Sequence, residues 1–385
     1  MAAPLKATAS AASEFVPRAI FEVSASVTRS YFLGHHTAAL TSMRKILSNI
    51  GLIIECRDSR VPLTSANPLL ESSLAGRDRV IVYTKADLCA PAASTRWIEK
   101  QTSLLAKWHT PVARSEEGGG GRTDVVFTDE RNPRTITQLL DVIKQRAAAQ
   151  DSLLGLRALV VGMPNAGKST LLNALRRVGM RLPNAARTGS QPGITRKLST
   201  PVRIVEATDS NDSASYGKDY GEGVFVVDTP GVFIPYVSDL EAMLKLALVG
   251  CVKDGLVPAE TVADYLLFLL NRRDPTLYWH LCPTPTNDIH DLLDTIGRRT
   301  GKLLKGGVTS QEQTADWFVQ QWRKGNIGRF GLDDVTEEGL KARARRLLEQ
   351  GDNKTTSMSQ ARKREKEVRK AKVAAKRAAA LDSGL

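Results

Sequence analysis

The chain has 385 residues, 42% hydrophobic but only 5% aromatic, so Leu, Val, Ile and Ala must fill a core large enough for one ordinary domain and a smaller second one. No stretch approaches 18 consecutive apolar residues, and runs such as 265–270 are far too short to cross a bilayer as a helix. A formal net charge of +13 points to an anionic partner, nucleic acid first and an anionic membrane surface second, with general solubilisation as the plain alternative.

Residues 1–30 are rich in Ala and Ser, carry Lys6, Arg18 and Arg29, and hold only Glu14 and Glu22 as acids. A basic, acid-poor stretch of this kind reads as a mitochondrial transit peptide, with a plain disordered arm as the alternative. It has no continuous apolar centre, which argues against a secretory signal. The cysteines at 56, 89, 251 and 282 are scattered, without a C-x-x-C pair or a His at zinc spacing, so neither disulfides nor a structural metal are expected.

A helical pattern at 38–47 precedes a short apolar run at 51–56, the signature of a buried strand. Similar runs occur at 80–83, 125–127 and 156–161, with a glycine-rich loop at 115–124 and helical spacing at 136–149 and 169–177. Residues 202–207 and 224–227 read as paired strands joined by an exposed polar loop, 208–223. Strands alternating with helices imply an α/β domain with a mostly parallel sheet. Beyond about residue 237 strand signals cease, and helical periods at 240–252, 259–271, 289–300, 314–324 and 337–350 predict an all-helical C-terminal domain. The expected division is an arm at 1–30, the α/β domain at 31–236, the helical domain at 237–350 and a basic tail at 351–385.

Four motifs carry chemistry. Residues 162–170 read G-M-P-N-A-G-K-S-T, a G-x-x-x-x-G-K-[ST] phosphate loop placed between a strand and a helix as that loop requires. Asn165, Ala166, Gly167, Lys168, Ser169 and Thr170 are the expected nucleotide contacts: backbone amides close on phosphates, Lys168 offsets their charge, and the Ser169 hydroxyl ligates Mg²⁺. Asp228-Thr-Pro-Gly231 follows a strand, placing a carboxylate for Mg²⁺ and the Gly231 amide for a γ-phosphate. Between them Thr195, in G-S-Q-P-G-I-T, has the position of the mobile threonine that closes on Mg²⁺ and γ-phosphate; Thr188 and Ser190 are the competing hydroxyls. Finally, Thr84-Lys85-Ala86-Asp87 ends a strand. The Asp87 carboxylate can accept both N1–H and N2–H of guanine, Lys85 can cover the ring, and adenine would leave that carboxylate unsatisfied. Thr84 stands where this motif ordinarily has Asn.

Order makes the set informative. A base-reading motif ordinarily follows the Mg²⁺ motif; here it lies at 84–87, ahead of the phosphate loop. The second base-contact loop is expected near 127–129. The fold class is therefore α/β, a circularly permuted P-loop GTPase domain followed by helices.

These residues resemble a family. The permuted order, Pro164 and Asn165 in the phosphate loop, and Gln191-Pro-Gly-Ile-Thr195 are similar to the circularly permuted GTPases that assemble large ribosomal subunits. Tyr31-Phe-Leu-Gly-His35-His36 resembles the W-F-P-G-H-M start of bacterial ribosome-biogenesis GTPase A, departing at Leu33 and His36, and the segment from Glu55 through Asn67-Pro68 resembles the next segment of that family. With the basic N-terminus, the chain is most similar to the mitochondrial branch, over about residues 31–350. The resemblance implies His35 as the water-orienting group, because Val232 stands where Ras-like enzymes carry Gln, and Asn165 as a ligand for K⁺. It further implies a mitochondrial matrix GTPase, peripheral on the inner membrane, that binds GTP or GDP and acts on the large ribosomal subunit, rRNA and proteins alike. The alternatives are a GTP-dependent RNA- or membrane-docking module with negligible turnover, and a permuted GTPase of the cytosolic or nucleolar ribosome.

Overall fold

The computed structural model describes residues 15–23, 27, 34–89, 95–109, 121–150, 152–186, 188–189, 195, 198–207, 220–234, 237 and 239–349. The expected tail, most of the N-terminal arm and much of the loop around Thr195 lie outside the described residues. The described chain forms two compact units: residues 15–23 with 258–328, and residues 27–257 with 329–349.

The larger unit is built on six strands: β1 (Leu52–Asp58), β2 (Arg79–Thr84), β3 (Thr123–Phe127), β4 (Leu156–Gly162), β5 (Val202–Val205) and β6 (Val224–Asp228). Their order across the sheet is β3-β2-β1-β4-β6-β5, parallel throughout except for β5 against β6. Helices α1 (Gly34–Ile46), α2 (Pro68–Ser73), α3 (Thr95–His109), α4 (Pro133–Gln150), α5 (Lys168–Met180) and α6 (Leu240–Leu248) accompany the strands in this unit. Neither α2 nor α3 is among the elements expected from the sequence.

A strand covered on both faces is predominantly apolar, and β1 is buried along its whole length, its charged Glu55, Arg57 and Asp58 being paired. Leu52, Ile54 and Cys56 enter one core with Ile143 of α4 and Leu172 of α5, while Ile53 enters another with Leu40 and Met43 of α1 and Leu70 of α2. Ile81 and Tyr83 of β2 pack with Leu105 of α3 and Phe127 in a third cluster. The central strands β1 and β4 lie side by side, so the loops after β1, β2, β4 and β6 emerge at one edge of the sheet. That edge is where an open parallel sheet holds ligands.

The smaller unit contains α7 (Ala259–Arg273), α8 (Ile289–Thr300) and α9 (Gln311–Arg323), with α7 and α8 both packed on α9. Asp288 caps α8 by accepting from the His290 amide at 2.7 Å, and Trp322 and Phe318 of α9 are fully buried. Residues 15–23 belong to this unit. Arg18 donates to Asp264 of α7 at 2.5 Å, and Phe21 meets the Tyr265 ring edge-on at 5.2 Å. Within the segment read from the sequence as helical, α6 and the last helix, α10 (Glu337–Glu349), lie in the unit that holds the sheet. Leu340 of α10 joins the Ile81–Tyr83 cluster. All four cysteines are buried and free.

Beneath the end of β2, His109 lies buried with Nε2 2.8 Å from the Tyr83 hydroxyl, and burial, aided by the Arg57 and Arg79 charges, pushes its pKa down from 6.5 to about 2. The unfolded chain therefore takes up this proton first as pH falls. Stability is unaffected by His109 above about pH 6.5 and declines below it by about 1.4 kcal/mol per pH unit. Between pH 7 and pH 5 the loss should be about 2 kcal/mol, and His109→Gln should remove that component. Denaturant unfolding of both proteins at the two pH values tests this; identical pH slopes would contradict a buried neutral imidazole.

Candidate nucleotide-binding site

The phosphate loop runs from the C-terminal end of β4 into α5. Two of its features depend on backbone conformations that an ordinary side chain resists. Gly162 has φ 143°, and a Cβ there would lie 2.3 Å from the Cys56 carbonyl oxygen of the neighbouring strand. Asn165 is left-handed at φ 55°. Its amide nitrogen donates to the Gly250 carbonyl at 2.7 Å, so only its side-chain oxygen is suited to face a cation. Lys168 is buried and donates from Nζ to the Met163 carbonyl at 2.8 Å; burial lowers its pKa, chiefly against the attraction of Asp228.

Oxygen atoms from three segments converge beside this loop. Ser169 Oγ donates to Asp228 Oδ2 at 2.5 Å and lies 3.2 Å from Thr195 Oγ1. Asp228 ends β6 and is 1% exposed; its other oxygen, Oδ1, is buried with no hydrogen-bond partner among the described residues. Desolvation raises the Asp228 pKa, against the hydrogen bond from Ser169 and the charge of Lys168. An orphaned carboxylate oxygen on the carboxylate bonded to Ser169, whose hydroxyl in turn lies beside that of Thr195, is a donor set for a small hard cation that keeps water ligands, and Mg²⁺ fits it. No cluster of three His, Cys, Asp or Glu occurs among the described residues, so a cage of protein side chains alone is not offered there.

The turn after β6 is fixed from both sides. Thr229 Oγ1 donates to the Val160 carbonyl at 2.7 Å, the Val232 amide donates to Gly162 at 3.1 Å, and Asn67 Nδ2 donates to the Val232 carbonyl at 2.9 Å. Val232 is 1% exposed within the cluster of Ile53, Leu159 and Val161, so its side chain faces the core and cannot touch a water at the phosphates. His35 lies in the first turn of α1, but its side chain is outside the described structure. Ser190, one competitor of Thr195, is also outside it.

Residues 84–87 stand at the C-terminal end of β2, joined to the phosphate loop by two bonds. Thr84 Oγ1 donates to the Ala166 carbonyl at 2.9 Å, and Lys85 Nζ to the Asn165 carbonyl at 2.8 Å. Asp87 is partly exposed, 3.9 Å from Arg131; desolvation, then the charge of Asp129, raises its pKa. The Ala86 amide donates to the Thr128 carbonyl at 3.1 Å, which brings the loop after β3 against this turn. Expected residues from three distant stretches of sequence thus meet at one sheet edge. Sequence reasoning did not single out Asp58 or Asn67, which lie in the segment quoted for the family resemblance, nor Asp333, whose contacts with Leu63 lie 270 residues away along the chain.

The fold and this edge define a GTPase whose strands follow a rotated order: the strand carrying residues 84–87 precedes the phosphate-loop strand, while both keep their places in the sheet. The family model described as 50S ribosome-binding GTPase matches residues 157–304, beginning on β4, with residues 84–87 outside the match. The chain is 34% identical to Mitochondrial GTPase 1 of Schizosaccharomyces pombe, covering 86% of this chain and 96% of that protein. It is 30% identical to Mitochondrial ribosome-associated GTPase 1 of Xenopus tropicalis, covering 79% and 94%. With Ribosome biogenesis GTPase A of Bacillus cereus the identity is 28%, over 80% and 95%. The chain belongs to the mitochondrial GTPase 1 family of circularly permuted, ribosome-associated GTPases.

Gly231 permits a second close approach in the site: a Cβ there would lie 2.6 Å from Pro164 Cα and N, backbone atoms of the phosphate loop. Relieving such overpacking costs about 1–3 kcal/mol. Gly231→Ala should therefore lower stability by that amount and weaken GTP binding, as read by denaturation and by titration with a fluorescent guanine nucleotide. Wild-type values in both measurements would show that the turn is not packed this tightly.

Proposed function

We propose that the protein is a Mg²⁺-dependent GTP hydrolase that acts as an assembly switch for the mitochondrial large ribosomal subunit, in the matrix and peripherally on the inner membrane. The observation carrying the hydrolase part is the convergence of Ser169, Thr195 and the orphaned Asp228 oxygen beside the buried Lys168. The ribosomal and mitochondrial parts are supported by the names of the relatives and by the excess of basic residues. Among the described residues no helix is long and apolar enough to cross a membrane.

In this reading backbone amides of the 162–170 loop and Lys168 hold the β- and γ-phosphates, and the Gly231 amide meets the γ-phosphate. Ser169, Thr195 and Asp228 would hold Mg²⁺, which when bound would neutralise charge on the phosphate oxygens. Water attacks the γ-phosphorus, the bond to the β–γ bridging oxygen breaks, and GDP and phosphate leave. Because Val232 is buried in the core, no side chain at position 232 orients that water. Intrinsic turnover should accordingly be slow; His35 is the candidate orienting group, and the Asn165 oxygen would hold K⁺, which would supply part of the missing charge. Replacing K⁺ by Na⁺ should depress turnover in the wild type and much less in Asn165→Ala. Equal sensitivity in the two proteins would move the K⁺ site elsewhere. A hydrolysis rate unchanged by ribosomal subunits would favour the docking-module reading.

Guanine selection rests on Asp87. Asp87→Asn should weaken GTP binding roughly ten- to hundredfold, the loss of a charge-assisted hydrogen-bond pair, and shift preference toward xanthosine nucleotides. The raised pKa of Asp87 adds a pH signature. The reading carboxylate must be ionised, so GTP affinity should begin to fall on acidification at a higher pH than an ordinary aspartate would give. Competition binding with GTP and xanthosine triphosphate across pH tests both points; unaltered selectivity in Asp87→Asn rejects the assignment.

A further inference from the structure

Asp58, at the end of β1, has no nucleotide contact in the proposed mechanism, yet it is a completely buried carboxylate serving two cations. Its Oδ1 accepts from the Arg60 amide at 3.0 Å and Arg60 Nε at 2.9 Å. Its Oδ2 accepts from Arg60 Nη2 at 2.8 Å and from Lys85 Nζ at 2.8 Å. Arg60 alone would neutralise the charge; the second cation belongs to the base-reading motif. Lys85 is also left-handed, at φ 57° and ψ 38°, a conformation that a side-chain-bearing residue keeps only when its surroundings hold it. Its ammonium spans the Asp58 carboxylate and the Asn165 carbonyl, and Asn165 is itself left-handed. Two strained backbone positions, one in each motif, are thus joined by a single ammonium whose place is fixed by Asp58.

The loop after Asp58 is held from the other end of the chain. Asp333 Oδ2 accepts from the Leu63 and Thr64 amides at 2.9 and 2.7 Å, and its Oδ1 from Thr64 Oγ1 at 2.6 Å. Leu332 donates from its amide to the Arg60 carbonyl at 2.7 Å, and Arg343 of α10 to the Leu63 carbonyl at 3.2 Å. Lys245 of α6 lies 3.6 Å from Asp333 Oδ1. Asp333 thereby satisfies two backbone donors of a largely buried loop.

We propose that Asp58 is the positioning residue for Lys85 and that Asp333 holds Asp58 in place, so that the segment 329–343 is a working part of the guanine-nucleotide site. This rests on residues 84–87 being the base-reading motif. The test is a double-mutant cycle on the full chain, read as the dissociation constant of a fluorescent GDP. Lys85→Met and Asp58→Asn should each weaken binding about tenfold, the scale of one hydrogen bond to a charged group. If Asp58 acts through Lys85, the double variant should be no weaker than Lys85→Met alone. A merely structural aspartate would give effects that multiply, and that result overturns the inference while leaving the base-reading assignment standing. Lys85→Met with wild-type affinity overturns both. Should Asp58→Asn fail to fold, Asp333→Asn takes its place in the cycle with Lys85→Met: coupling supports the inference, and multiplication rejects it.

Discussion

The site depends on the contact between the end of β2 and the phosphate loop. Thr84 and Lys85 each donate to a phosphate-loop carbonyl, at Ala166 and Asn165, and those two bonds tie a strand from the first quarter of the chain to a loop near its middle. Without them, the residues that discriminate the base and those that hold the phosphates would belong to separate loops on one sheet edge. The sheet makes the contact available by setting β1 between β2 and β4, and the permutation leaves it intact because pairing is a matter of position in space. Thr84 in place of the ordinary Asn still supplies a hydroxyl that reaches both the Ala166 and Arg57 carbonyls.

Strands covered on both faces were legible in the sequence because burial favours short, predominantly apolar runs: β1, β2 and β4 match the expected segments within one or two residues. The phosphate loop and Asp228 were legible because their spacing is set by local geometry. Helix α3 carries a helical signal that went unassigned: Trp97, Ile98, Leu104 and Leu105 fall on one face of a helix, and Ser94 stands directly before it. Helix α2 escaped because six residues are too few to show a period, and its definition comes from Asn67 capping the Leu69 amide. Asp333 has no sequence signature at all. An aspartate among Asp333, Asp334 and Glu337 reads as surface charge until the fold brings it to Leu63 and Thr64.

Buried charge is concentrated around this edge. Arg57 with Glu55, Arg60 with Asp58, and Lys168 near Asp228 are all nearly or fully enclosed. Such pairs contribute little net stability compared with apolar packing, but removing one partner strands the other. The protein therefore devotes its costly interactions to fixing the geometry of the loops, while stability comes from the three apolar clusters packed on the sheet.

The contact of Arg18 with Asp264 has a consequence for the order in which the chain is completed. The two residues are 246 positions apart, so during synthesis the segment that holds Arg18 must wait until α7 has emerged too. Until then Arg18 and Phe21 lack the partners that seat them, and the smaller unit closes late, at the entropic cost of a long loop. A chain cut beyond Phe21 would leave the helical unit without the ring that meets Tyr265 and Phe268.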